Sequence, residues 1–150
     1  MTPKQRRLER MRAIEREWRV AEIAAESLGE YLRANPSALA KEKLGNTDYR
    51  NFRDNLEPTY LIRVFAEFEA GLREAWELAF HQATSPRMRD MIDSISARCV
   101  ISQEWRDCAD AVRAYRNALI HEGGGDIPPV GLREACSWLC RFFSRLPHEW

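Results

Sequence analysis

Between residues 113 and 121 the chain reads RAYRNALIH, followed by Glu122 and three glycines. These residue types suit chemistry on a phosphodiester. On an α-helix Asn117 and His121 are four residues apart and share a face, so the amide is placed to orient the imidazole. Arg106, Asp110 and Arg113 extend that face toward the helix start. Arg116 lies about 140° around from His121, beside the apolar stripe through Val112 and Leu119. A guanidinium at the border of a core needs a partner. His121 is expected in the last helical turn, where the negative end of the macrodipole favours the imidazolium. That suits a ring that must both accept and donate a proton. The glycines leave room for a large substrate, and an arginine can hold a phosphate through two parallel N–H bonds. Arg116, Asn117 and His121 are therefore the candidate catalytic residues, in a site that needs no metal. The same histidine would also serve as a purely structural helix cap.

The hexapeptide Arg116-Asn117-Ala-Leu-Ile-His121 resembles the signature of the HEPN superfamily: an arginine, usually a polar residue after it, then a histidine four to six residues on from the arginine. The supporting helical pattern covers residues 58–146, and the long N-terminal helical extension, residues 1–35, lies outside the match. The resemblance implies a homodimer in which two such helices face each other across one cleft. It implies an endoribonuclease, of the kind used as a toxin or defence effector. The ribose 2′-hydroxyl attacks the adjacent phosphate and leaves a cyclic phosphate and a 5′-hydroxyl. In that picture His121 moves protons and Arg116 binds the phosphate and its growing charge. Asn117 orients His121 or contacts RNA. An antitoxin or regulatory protein is a further implied partner. Some members carry a tyrosine two residues after the histidine, which a nucleotidyltransferase antitoxin modifies. Here that position is Gly123, which disfavours control by that modification.

Glu69 is the candidate supporting residue. It sits between Phe65, Leu72 and Trp76 at helical spacing, so it borders an apolar face and should seek an arginine, with Arg116 as the candidate. The alternative is a solvated edge glutamate. Asp110 and Arg113 read as a surface pair. Trp105 and Tyr115 could stack on bases, but their helical spacing fits the core.

The elements that must position these residues are helices. Met11, Ile14, Trp18, Ala21, Ala25, Leu28 and Leu32 step by three and four residues along a first helix that Asn35-Pro36 ends. Ser37 is expected to cap a short helix ending at Gly45, with another short turn over residues 48–56. Glu57-Pro58 opens a clear helix whose stripe is Leu61, Phe65, Phe68, Leu72, Ala75 and Ala79. Thr84-Ser85-Pro86 repeats the start signal ahead of Met88, Met91, Ile92 and Ile95. Ser102 starts the helix that carries the motif, and the glycines stop it. A last helix runs from about Leu132 to Leu146. No segment alternates as a half-buried strand does. The expected architecture is all-α: one domain over residues 1–150, a bundle of about five helices.

Lysines and arginines match aspartates and glutamates, 23 to 23, so RNA contact should be local. No apolar run is long enough for a membrane span, and the basic start lacks the apolar stretch of a secretory signal, so a cytoplasmic location is expected. Cys99, Cys108, Cys136 and Cys140 match no zinc spacing and read as reduced core thiols, although Cys136 and Cys140, one turn apart, could share a metal. No cofactor motif is present: there is no P-loop, dinucleotide fingerprint, HExxH or serine-nucleophile motif. Two alternatives remain: a HEPN-like module that binds RNA, a nucleotide or a protein without cutting, and an assembly protein that works through its first helix.

Overall fold

The computed structural model describes residues 1–121 and 125–150. Among these residues there are five α-helices and no strand, the expected all-helical bundle. α1 (Pro3–Ala34) begins with a capping box: Thr2 Oγ1 accepts from the Gln5 N–H at 3.2 Å, and Gln5 Oε1 accepts from the Thr2 N–H at 2.8 Å. Asn35 closes it, its N–H donating to the Tyr31 carbonyl. α2 (Asn46–Leu78), α3 (Met88–Arg98), α4 (Gln103–Ile120) and α5 (Leu132–Ser144) follow. No described helix is long and apolar enough to cross a membrane.

The largest departure from expectation is α2. It runs unbroken through Pro58, and the anticipated turn over residues 48–56 is its first part. Proline's fixed φ is helical, so the cost is one missing N–H and a crowded preceding turn. Contacts with α1 offset that cost. Arg63 forks onto Glu17 at 2.8 and 2.9 Å, Tyr60 donates to Glu17, and the Tyr49 hydroxyl donates to the Ala25 carbonyl at 2.8 Å. Gly29 is required there, because a Cβ would fall 2.4 Å from the Tyr49 oxygen. The short helix expected to end at Gly45 is a 3-10 turn over Ala38–Glu42. α3 begins at Met88 with Arg87 as its cap, two residues beyond Pro86.

The core gathers around the second half of α2. Phe68 is fully buried and meets Phe142 and Phe143 of α5 edge-on, with ring centroids 5.5 and 6.3 Å apart. Gly71 lets α5 approach: a Cβ there would lie 2.6 Å from the Phe143 ring. Met11 and Ile14 close the core from α1, Met91, Ile92 and Ile95 from α3, and Ala109 and Val112 from α4. Of the first helix's stripe, Met11, Ile14, Ala25 and Leu32 are buried within the chain, whereas Leu28 is exposed. Glu57 crosses to α5 and accepts from the Leu132 N–H at 2.7 Å, placing a carboxylate at that helix's positive end. These contacts fix α4 against α2, α3 and α5.

Candidate functional site

Ser102 caps α4 as expected, accepting from the Trp105 N–H, and the helix delivers Arg113, Arg116 and Asn117 half-buried on its last turns. Arg116 rests its guanidinium over the Phe65 ring, 5.6 Å from the centroid. This is a cation–π contact on a buried ring. Its Nη1 donates to Asn117 Oδ1 at 3.1 Å, while its Nε is out of solvent with no acceptor among the described residues.

Two expected pairings are replaced. Asn117 engages Arg116, its immediate neighbour, and does not orient His121. The helix ends at Ile120, and His121 has left the helical path at φ −104°, ψ 122°. His121 is thus the C-cap of α4, and the chain turns away from the helix after it. The His121 backbone N–H still donates to the Asn117 carbonyl, at 3.0 Å, and the residue is exposed. Glu69 pairs with Arg73, one turn along α2, at 2.8 and 3.2 Å, instead of with Arg116. The nearer intrahelical arginine takes the carboxylate, and the aromatic face takes Arg116. Asp110 and Arg113 do pair, at 2.6 Å. Glu122, Gly123 and Gly124 lie outside the described residues, so the stop signal assigned to the glycines and the Gly123 departure have no structural counterpart here.

What the fold does bring together is a cleft of about 330 Å³. Phe65 and Glu69 line it from α2, Arg113, Arg116 and Asn117 from α4, and Arg87, Met88 and Arg89 from the start of α3. Four arginines face one carboxylate, and Arg73 already neutralises that carboxylate. Arg87, Arg89 and Arg116 make no ion pair among the described residues. Sequence reasoning missed Arg87 and Arg89. Nothing local marked them, since both are exposed arginines at a helix start whose first turn also holds Asp90.

Two larger concavities have less chemistry. One, about 430 Å³, lies where α1 ends and α2 begins and is lined by Arg33, Arg50 and Arg53. It could attract an anion, but unlike the α4 cleft it has no histidine at the end of a helix that lines it. The other, about 420 Å³, presents Glu22, Asp54 and Glu57, which repel phosphate. Size alone favours these two, and the residue types favour the α4 cleft.

Of the cysteines, Cys136 is buried in the core, Cys99 and Cys140 pack half-buried against it, and Cys108 is half-buried outside it. Cys136 and Cys140 sulfurs are 3.9 Å apart, and their shared contact followed by burial pushes the Cys136 thiol far up. Among the described residues no cluster of three or more His, Cys, Asp or Glu side chains could hold a metal. No family model, curated protein or solved structure matches the chain.

Proposed function

We propose that this protein is a metal-independent endoribonuclease of HEPN type, of the toxin or defence-effector kind, acting as a homodimer. The observation that carries this reading is the arginine cleft on α4, with exposed His121 at the end of the same helix. Three arginines without carboxylate partners suit a phosphodiester, because guanidinium–phosphate hydrogen bonds are charge-assisted. Arg116 binds the phosphate from its seat on Phe65, and Asn117 braces Arg116. His121 moves the protons. The cleft is small beside an RNA strand, so a second copy completes the path and brings a second histidine.

A second reading is favoured by one specific observation. His121 does not line the cleft of its own chain. A module that binds RNA without cutting would need the arginines alone.

The test is labelled mixed RNA incubated in EDTA with wild type, Arg116→Ala and His121→Ala. Cleavage by wild type and its loss in both variants, each still helical, support the ribonuclease. Cleavage undiminished in both variants rejects the site. Binding that is weakened by Arg116→Ala, without cleavage by any protein, selects the second reading.

A further inference from the structure

α1 carries a second apolar strip that the fold leaves uncovered. Val20 and Ile23 are 66% and 67% exposed, and Tyr31 is 57% exposed. With Ala24 and Ser27 they fall on one side of the helix, opposite Met11, Ile14, Ala25 and Leu32, which face the core. Single exposed apolar residues are ordinary, but a strip spaced by three and four is an amphipathic face.

One edge of this strip is divided by charge. Arg16 and Arg19 flank its first half, and Glu26 and Glu30 flank its second. All four are exposed. Arg16 holds Glu9 at 2.5 Å, and the other three make no ion pair among the described residues. Arg16 stands seven residues before Ile23 and Glu30 seven after, while Arg19 stands four before and Glu26 three after.

We infer that this strip is an antiparallel contact between two copies of the chain. A two-fold axis at Ile23 carries each flank onto itself, so the same edge of both helices meets. Arg16 then comes level with Glu30 of the second copy, and Arg19 comes near Glu26. Val20 and Ile23 pack against the same residues and Ser27 across the axis. The edge of the strip is its own complement in charge. A parallel two-fold would set this edge against the opposite edge of the partner helix and lose these pairings. The contact spans about 22 Å of helix. That is short for a permanent dimer, so the association depends on concentration. It lies away from the α4 cleft and does not rest on the ribonuclease reading.

The experiment is the solution mass of the intact chain at rising concentration, to roughly 100 µM. It compares wild type, R16E/R19E, E26R/E30R and an equal mixture of the two variants. Circular dichroism checks that each retains its helices. Wild type should show an association step that doubles its mass, and each variant alone should lack that step. The mixture should regain it, because every opposed pair is again opposite in charge. Ile23→Asp should lose the step, and no mixture should restore it. A dimer formed elsewhere would add equally to every sample and leave these differences intact. The inference is overturned if wild type shows no such step, if either charge variant associates as wild type does, or if the mixture fails to recover.

Discussion

The two halves of α2 are held by different forces. From Leu61 to Trp76 the helix is surrounded by four others, and its Phe65, Phe68, Leu72 and Ala75 are at most 1% exposed. From Asn46 to Leu56 it has mainly α1 beside it. There the contacts are one tyrosine hydroxyl, a loose Arg53–Glu22 pair at 3.7 Å, and one buried leucine, Leu56. One continuous helix thus spans a densely packed end and a thinly supported two-helix arm. Regular backbone geometry says little about local stability, which follows from what is packed around it.

The largest effect should come from the packed end. Phe68→Ala removes the ring that meets both α5 phenylalanines and should cost about 3–5 kcal/mol in urea unfolding. A cost below about 1 kcal/mol would mean that the core can collapse onto the gap and that this end is not tightly packed. Pro58→Ala should raise stability by about 1–2 kcal/mol, through the restored N–H and relieved crowding less the lost stiffening of the unfolded chain. A fall in the urea midpoint would mean that the proline shapes the α1–α2 contact. Tyr49→Phe should cost about 1 kcal/mol, with a sharper signature in hydrogen exchange. Amides of residues 20–34 and 46–56 should exchange faster while those of α5 do not change. Equal acceleration in both regions would show that the arm and the core open as one unit.

The smallest effect is electrostatic. Arg63 holds the Glu17 carboxyl below its usual value through their hydrogen bonds. A lowered folded value means that the contribution is present above the unfolded carboxyl range and is lost as pH falls through the folded value. The difference in melting midpoint between wild type and Glu17→Gln should therefore shrink from pH 7 toward pH 3, and at high salt. A difference that grows on acidification would contradict this assignment.

The same contrast explains what the sequence could and could not tell. The packed half announces itself by a stripe of large apolar residues at helical spacing, and so do α3, α4 and α5. The arm has no such stripe on α2. Proline looked like a boundary there because nothing local revealed the α1 contacts that carry the helix through it. At the site, Arg116, Asn117 and Glu69 were legible as chemistry-bearing residues. Their pairings were not, because Glu69 had an intrahelical rival in Arg73 and Arg116 found an aromatic face from another helix. His121 was readable as a helix-end residue, but the Asn117 side chain turned to its neighbour Arg116. Arg87 and Arg89 reach the cleft only through the tertiary arrangement of α3 against α2 and α4.

The proposal that Arg116 and His121 cut RNA without a metal is tested most directly by the ends of the products. Wild type incubated with labelled RNA in EDTA should leave cyclic-phosphate and 5′-hydroxyl ends, and His121→Ala purified identically should leave the RNA whole. Equal cleavage by the two proteins, or products bearing 5′-phosphates, would contradict that proposal.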